Sequence, residues 1–219
     1  MTGALPDLTG MLVVCAHPDD ESFGVGALIH AFATGGTEVT ILCFTHGEAS
    51  TLHGIDGDLT TIRAAELAAA SDHLGVAGVH VLDYPDGALA DQPRDALVDH
   101  VVELATDVDA EGLLVFDHGG ITGHPDHQAA TDAALAAADM LDLRVLAWAI
   151  PAQVAATLNQ EFDTTFVGRN DDECHLTLEV DRTTQFAAIE CHTSQSADNP
   201  VLRRRLLLQH DTECLRFLR

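Results

Sequence analysis

Near its N-terminus the chain reads Met11-Leu12-Val13-Val14-Cys15-Ala16-His17-Pro18-Asp19-Asp20-Glu21, an apolar run that ends in one histidine and three carboxylates. A short apolar run bounded by polar residues and proline predicts a buried strand. The polar residues then follow the carboxyl end of that strand, where open α/β sheets bind their ligands. An imidazole beside several carboxylates at this position suits a divalent metal ion with a base next to it.

The first 150 residues alternate between strand patterns and helix patterns. The strand-like runs are apolar, and they occupy 11–16, 38–44, 79–82, 112–116 and 144–150. The helix-like stretches between them are rich in Ala and Leu, and they lie near 21–34, 59–74, 93–106 and 125–139. This alternation predicts a mostly parallel sheet that is covered by helices on both faces. The expected fold class is therefore α/β, a Rossmann-like three-layer sandwich.

The pattern changes after Pro151. We expect a single 219-residue domain in which 1–150 form the Rossmann-like core and 151–219 form a C-terminal α/β elaboration. Within the elaboration, two strand-like segments at 163–168 and 173–180 are expected to pair as a hairpin through the polar, glycine-containing residues between them. Its helix-like segments lie at about 152–160, 182–191 and 200–209.

A second polar cluster, His124-Pro125-Asp126-His127, follows the strand-like run at 112–116. Proline is favoured at the first position of a helix, so the next helix is expected to begin at Pro125. His124 and His127 are three residues apart and can face the same way around the first turn. Two histidines and one aspartate drawn from the two clusters, with one position left for water, would make a catalytic metal site.

The composition excludes several classes of partner. The formal net charge is -25, from 35 acidic residues against 10 arginines, and such a field would repel nucleic acids and anionic lipids. The chain has no apolar run long enough to span a membrane, and 1–10 lack the basic residues and apolar core of a signal peptide. We therefore expect neither a nucleic-acid nor a membrane partner. The five arginines between 203 and 219 are expected to pair with the acidic body.

The cysteines favour a reducing compartment. They are odd in number and contain no Cys-x-x-Cys pair, and we interpret them as reduced residues of a cytoplasmic protein. A thiolate metal site is the weaker alternative. The five positions are Cys15, Cys43, Cys174, Cys191 and Cys214.

Together the two polar clusters resemble the PIG-L/LmbE-like zinc-dependent N-deacetylases, a family that removes acetyl groups from N-acetylglucosaminyl compounds and related amides. The resemblance extends from about residue 11 to about residue 217. Weaker matches support it, at Thr45-His46-Gly47-Glu48, Arg63 with Glu66, Pro85-Asp86-Gly87 and His192-Thr193-Ser194-Gln195.

The resemblance implies a role for each residue of the two clusters. His17, Asp20 and His127 would bind Zn²⁺, although Fe²⁺ or another divalent metal accepts the same ligands. Asp19 would be the general base, because a carboxylate beside the metal that does not bind it can take a proton from water. A cationic His124, held protonated by Asp126, would stabilise the oxyanion. Either Asp19 or His124 could protonate the leaving amine.

Three further residues are candidates for substrate binding, each with a structural alternative. Arg63 either contacts substrate or forms a helix-surface ion pair with Glu66. Asp86 either contacts substrate or serves only the Pro-Asp-Gly turn. His192 either enters the pocket or lies in solvent after a helix. Glu21 is either the outer partner of a histidine or a first-turn helix charge.

The expected function is a metal-dependent hydrolase that removes an N-acetyl group from an N-acetylglucosaminyl-type small molecule. One alternative is an amidase that cleaves a larger acyl group or a thiol conjugate, and another is a non-catalytic α/β module that binds a sugar or nucleotide. The expected partner is a small N-acetylated amino sugar or its conjugate, and the sequence leaves a homo-oligomer open. Thr122 stands where some relatives carry a tyrosine as an extra oxyanion donor.

Overall fold

The computed structural model describes residues 3–50 and 57–219. A central sheet forms the middle layer of the fold. Its strands are β1 (Gly10–Cys15), β2 (Glu38–Thr45), β3 (Gly78–Tyr84), β4 (Gly112–Phe116), β5 (Arg144–Pro151), β6 (Gly168–Arg169), β7 (Leu176–Glu179) and β8 (Thr212–Phe217). Across the sheet they lie in the order β3-β2-β1-β4-β5-β8-β7, and β6 pairs with one end of β5. Strands β1 to β5 pair in parallel, whereas β8 runs antiparallel to both β5 and β7.

Helices cover both faces of this sheet. They are α1 (Asp20–Phe23), α2 (Gly26–Thr34), α3 (Leu59–Leu74), α4 (Arg94–Asp107), α5 (Gly120–Gly123), α6 (Pro125–Leu141), α7 (Ala152–Phe162), α8 (Thr183–Cys191), α9 (Thr193–Ser196) and α10 (Pro200–Gln209), with a 3₁₀ turn at Leu89–Asp91. Among these described helices, none combines the length and the apolar character that a membrane span requires.

Alternate side chains of β1 enter two separate hydrophobic clusters, because successive residues of a strand point to opposite faces. Met11 packs in one cluster with Leu28 of α2 and Leu67 of α3. Leu12 packs in the other with Val101 of α4 and Ala133 of α6. The predicted three-layer α/β fold is confirmed.

The strands predicted in the first 150 residues are confirmed by β1 to β5, and three of the four helices by α3, α4 and α6. The helix predicted at 21–34 is instead broken between α1 and α2. A Cβ atom on Gly24 would clash with the ring of Phe116, so only glycine lets the backbone pass this close to that ring.

The helices of the C-terminal part are confirmed by α7, α8 and α10, but the predicted hairpin is wrong. Strand β7 pairs with β8 instead of with 163–168, and the short β6 pairs in parallel with β5. Sequence reasoning does not predict β8, because this strand contains two charged residues, Glu213 and Arg216. Both are neutralised inside the fold, Glu213 by Arg182 and Arg216 by Asp117.

The interpretation of all five cysteines as reduced is also wrong. Cys174 and Cys214 form a disulfide bond, whereas Cys15, Cys43 and Cys191 are free. The unexpected pairing of β7 with β8 brings the two Cα atoms within 5.7 Å of each other. Cysteine usage therefore no longer argues for a reducing compartment.

The disulfide closes a loop of 40 residues. A cross-link of this span is expected to contribute about 4 kcal/mol by restricting the unfolded chain. We expect the double substitution Cys174→Ser/Cys214→Ser to lower the free energy of unfolding by about 2–4 kcal/mol, measured by urea titration. Cys191→Ser is the matched control, because that thiol is free, and it should change stability by less than about 0.5 kcal/mol. Equal stability of the double variant and wild type would contradict the assignment.

Candidate active site

The two polar clusters meet at one edge of the sheet. Strands β1 and β4 are parallel neighbours, so the residues that follow them emerge side by side. His17 follows β1, and His127 lies in the first turn of α6, beyond β4. The two histidines are 110 residues apart in sequence, yet His17 Nδ1 lies 3.2 Å from His127 Nε2.

Asp20 completes a compact set of ligand atoms with these histidines. Its Oδ1 lies 3.1 Å from His127 Nε2, and its Oδ2 lies 3.9 Å from His17 Nδ1. Ligand atoms at about 2.0–2.2 Å from a tetrahedral Zn²⁺ are separated from one another by roughly 3.3–3.5 Å. The donor types and their spacing therefore fit a single divalent cation with one position left open.

Other groups hold the two histidines in this orientation. His127 Nδ1 lies 3.0 Å from the carbonyl oxygen of Gly120, and His17 Nε2 lies 3.1 Å from Asp86 Oδ1 and 3.3 Å from Asp126 Oδ2. Such partners fix the ring orientation and leave the opposite nitrogen for the metal. Burial lowers the pKa of His17, but its bonds to Asp126 and Asp86 outweigh burial and raise the pKa to about 11.

Asp20 is committed to the same centre. Its Oδ2 accepts hydrogen bonds from the backbone N–H groups of Ala16 and His17, which leaves Oδ1 facing His127. Burial raises the pKa of Asp20, but the charges and hydrogen bonds of His127 and His17 hold it well below its ordinary value. The carboxylate is therefore ionised, as a metal ligand must be.

A second grouping, His17 with His124 and Asp126, has ligand atoms equally close together. Asp126, however, already accepts hydrogen bonds from the backbone N–H groups of Gly87 and Leu89 through its two oxygens. The structure thus favours Asp20 as the carboxylate ligand and leaves Asp126 as a partner of His17.

Asp19 is set apart from Asp20 by an unusual backbone conformation, with φ at 122°. Non-glycine residues rarely adopt positive φ, and such strain persists where the surroundings impose it. Here Glu21 Oε2 accepts the Asp19 backbone N–H at 3.0 Å, and Gln195 Nε2 donates to Asp19 Oδ2 at 2.6 Å. Burial and the nearby charge of Asp20 raise the pKa of Asp19 to about 7.

The structure differs from the expected pairing of His124 with the Asp126 carboxylate. Instead, His124 Nδ1 accepts the backbone N–H of Asp126 at 3.2 Å, while the Asp126 carboxylate lies on His17. Burial, followed by the positive charges of His127 and His17, lowers the pKa of His124. The ring is therefore a neutral imidazole with its hydrogen on Nε2, rather than the expected cation.

A cavity of about 500 Å³ opens over this centre. Arg63 and Asp86 line it, as do Asp19 and His124, and one wall is apolar and mainly aromatic, formed by Phe23, Phe116, Ile121, Trp148 and Phe166. Arg63 is only 1% exposed and donates from Nη1 to the Gly47 carbonyl oxygen, whereas its Nε and Nη2 are buried without a partner among the described residues. The alternative ion pair with Glu66 does not form, because Glu66 accepts hydrogen bonds from Thr193 and Ser194.

His192 does not line the cavity. It is fully buried, and its Nε2 lies 2.6 Å from Glu21 Oε1. Glu21 is thus the partner of a histidine, although not of one in the two polar clusters. The late His-Thr-Ser-Gln segment reaches the cavity through Gln195 instead, a residue to which sequence reasoning assigns no role.

Sequence reasoning also missed Trp148 and Arg205, which both line the cavity. Trp148 is the single tryptophan of the chain and lies near the carboxyl end of β5. Because ligands bind at the carboxyl ends of parallel strands, this position could have indicated a site residue. Arg205 was grouped with the C-terminal arginines that were expected to pair with the acidic body.

The two polar clusters both lie within the part of the chain that matches a known protein family. The model of the family described as PIG-L, GlcNAc-PI de-N-acetylase, matches residues 12–138, more than half of the chain. The chain belongs to this family. The resemblance drawn from the sequence is thereby confirmed, and so is the relation to deacetylases as a class.

A curated relative from Salinispora arenicola (strain CNS-205) is named 1D-myo-inositol 2-acetamido-2-deoxy-alpha-D-glucopyranoside deacetylase. It is 30% identical over 243 residues, which cover 89% of this chain and 78% of the relative. Further relatives of the same name, such as that of Streptomyces avermitilis at 33% identity, are covered over only 48–57% of their length. The chain thus spans about half the length of several of its curated relatives.

Solved structures share the whole fold at lower identity. The A40926 pseudoaglycone deacetylase Dbv21 superimposes with a TM-score of 0.74 at 22% identity and covers 96% of this chain and 97% of its own. GalB, the 4-carboxy-2-hydroxymuconate hydratase of Pseudomonas putida KT2440, also reaches 0.74, at 18% identity and 96% of both chains. Because one fold carries a deacetylase and a hydratase, the activity of this chain has to be argued from its site.

The ligand set can be tested by metal retention. We expect His127→Gln to weaken Zn²⁺ binding by more than about 100-fold, since loss of even an outer partner of a ligand costs up to that much. His118→Gln is the matched control, because His118 is half exposed near the same strand end and should leave affinity unchanged. Competitive chelator titration measures both. Retained Zn²⁺ in His127→Gln, with loss in His124→Gln, would favour the other grouping.

The buried pair of His192 and Glu21 should make stability depend on pH. Burial lowers the pKa of His192, but Glu21 outweighs burial and raises it above the ordinary value of 6.5. The pair therefore stabilises the fold fully below 6.5, and this stabilisation is lost as pH rises through the raised pKa. We expect His192→Gln to lower the free energy of unfolding by about 3 kcal/mol at about pH 6, and by less in alkaline buffer.

Urea unfolding of metal-free protein across this pH range measures the effect of His192→Gln. His73→Gln is the control, because His73 is exposed on α3 and should change stability by less than about 0.5 kcal/mol at every pH. A deficit in His192→Gln that grows with pH would contradict the pairing.

Proposed function

We propose that this protein is a metal-dependent hydrolase that removes the N-acetyl group from an N-acetylglucosaminyl-type small molecule. The observation that carries the proposal is the meeting of His17, Asp20 and His127 around one point, with a carboxylate outside that set, Asp19, facing the same cavity. Membership of the PIG-L family and the names of the curated relatives support the substrate class.

His17, Asp20 and His127 would hold the cation, which we propose to be Zn²⁺ or Fe²⁺. A divalent cation bound there would polarise the amide carbonyl and make a water molecule easier to deprotonate. The carboxylates of Asp86 and Asp126 behind His17 would keep that ring in place.

Asp19 is the proposed general base. Its Oδ2 is held by Gln195, and its backbone by Glu21, so its carboxylate has a fixed position in the cavity wall. The carboxylate takes a proton from the attacking water as the water oxygen bonds to the acetamide carbon. A pKa of about 7 suits this task, because the group can both accept a proton and return it at neutral pH.

His124 is the proposed oxyanion donor. With Nδ1 occupied by the backbone N–H of Asp126, the neutral ring presents an Nε2–H group, which can donate a hydrogen bond to the carbonyl oxygen as negative charge develops. A neutral imidazole has no acidic proton to give to an amine. Asp19 therefore returns its proton to the nitrogen as the C–N bond breaks, and acetate and a free amine leave.

Arg63 and Asp86 are the proposed contacts to the sugar. Arg63 lines the cavity, and two of its guanidinium nitrogens have no partner in the part of the chain that the structure describes, so they can donate to substrate hydroxyls. Asp86 lines the cavity and lies against His17, so a substrate contact at Asp86 would also affect the position of this proposed metal ligand. His192 would hold the Glu21 carboxylate in place, and Glu21 in turn accepts the backbone N–H of Asp19.

The proposal is tested by amine release combined with metal analysis. Metal-loaded wild type should release acetate and amine in equal amounts from N-acetylglucosaminides. We expect Asp19→Asn to keep the metal but to lose turnover by about 10²–10⁴-fold, because proton transfer loses its acceptor. Asp99→Asn, an exposed aspartate on α4, is the matched control and should keep both.

Three outcomes would contradict the proposal. Full turnover in Asp19→Asn would remove the assigned base. Tight binding of an N-acetylglucosaminide by metal-loaded wild type, without amine release, would favour the non-catalytic binding module. Release of amine only from longer acyl amides would favour the amidase alternative.

A further inference from the structure

Arg205 is a buried cation in the wall of the active-site cavity. It lies on α10 and is only 4% exposed, and its guanidinium carbon stands 5.0 Å from the centroid of the Trp148 ring. Such stacking on an aromatic face stabilises a guanidinium without neutralising it.

Arg205 and Arg63 are exceptions among the buried arginines of the described residues. Arg169, Arg182 and Arg216 have less than a quarter of their side chains exposed, and each forms an ion pair with a carboxylate. No carboxylate lies within ion-pair distance of Arg63 or Arg205 in the described part of the chain, and both line the cavity. An uncompensated buried charge is costly, and this chain has 35 acidic residues that could have supplied a partner.

The surroundings of Arg205 keep it cationic but separate it from its nearest acid. Glu213 is occupied by Arg182 and by Trp148 Nε1, and Gln209 stands between Glu213 and Arg205, with a hydrogen bond to each. Arg205 also donates to the Phe23 carbonyl oxygen. These bonds use two of the five N–H donors of the guanidinium. Burial lowers the pKa of Arg205 to about 10, so the group remains charged at neutral pH.

A series of ring contacts connects Arg205 to one of the candidate metal ligands. The His127 ring lies 4.9 Å from Phe116, Phe116 lies 5.1 Å from Trp148, and Arg205 follows Trp148. The carboxylates that line the cavity, Asp19, Asp20 and Asp86, lie among or against the candidate metal ligands. Arg205 instead stacks on the aromatic side of the lining, at Trp148.

We infer that the cavity takes an acylated amino-sugar conjugate whose aglycone carries an anionic group, a carboxylate or phosphate, and that Arg205 binds this group. The inference rests on the proposed function for the acyl group and adds the charge of the aglycone. A guanidinium presents parallel donors that match either anion. In a chain of net charge -25, a local cation is also what allows an anionic substrate to enter.

The test compares two probes of equal size that differ only in charge, 4-carboxyphenyl and 4-carbamoylphenyl N-acetyl-β-glucosaminide. Trp148 is the only tryptophan of the chain and stacks on Arg205, so its fluorescence reports occupancy at this position without turnover. Titrations in a metal-loaded Asp19→Asn background avoid hydrolysis of the probe. A 4-phosphonophenyl probe distinguishes a preference for phosphate from one for carboxylate.

We expect the carboxylate probe to bind at least about 10-fold more tightly than the carboxamide, as one charged hydrogen bond contributes. Arg205→Gln should reduce this ratio to about 1, and Arg205→Lys, which keeps the charge, should retain part of it. Arg203→Gln is the matched control, because Arg203 is exposed on the same helix, and it should retain the full ratio. Because each ratio is internal to one variant, a general loss of stability does not imitate the result.

Equal binding of the two probes by the Asp19→Asn parent would overturn the inference, as would a charge preference that survives in Arg205→Gln. Such a survival would assign the anion to Arg63. The proposed function is judged separately, by amine release from the uncharged probe in the protein that retains Asp19. A charge preference without any amine release would leave Arg205 as an anion site and reject the hydrolase.

Discussion

The parallel pairing of β1 with β4 is the constraint on which the candidate site depends. It places Val13 opposite Leu114, and because both strands end at the same edge, His17 and His127 meet across 110 residues of sequence. Two imidazole nitrogens at 3.2 Å, with a carboxylate oxygen at 3.1 Å, are not a stable arrangement without a shared proton or a cation among them. The sheet therefore brings together groups whose charge a divalent cation would balance.

The same buried carboxylates position the candidate metal ligands and the loops that line the cavity. Asp126 accepts the backbone N–H groups of Gly87 and Leu89 and also orients His17, so the loop after β3 and the first ligand share one carboxylate. Glu21 similarly joins buried His192 to the strained backbone of Asp19. Fully buried carboxylates thus determine where the proposed base and ligands stand.

Much of this could be predicted from the sequence, because β1, β4 and β5 are apolar runs, and the two polar clusters lie beyond the ends of β1 and β4. The rest was hidden where the pattern is broken by charge. Strand β8 contains Glu213 and Arg216, whose partners come from distant elements, and without β8 neither its pairing with β7 nor the disulfide could be inferred. The partner of Asp126 could not be read either, because neighbours in sequence, such as His124, need not be partners in space.

The position of β8 constrains the order of assembly during synthesis. Strands β1 to β5 can pair as they leave the ribosome, except that β1 pairs with β4 only after β4 has been synthesised. Among the described strands, β7 neighbours only β8, which follows it by more than 30 residues and also pairs with β5. An incomplete chain therefore exposes the edge of β5 until this late segment emerges, and that edge is where a nascent chain would be vulnerable to aggregation.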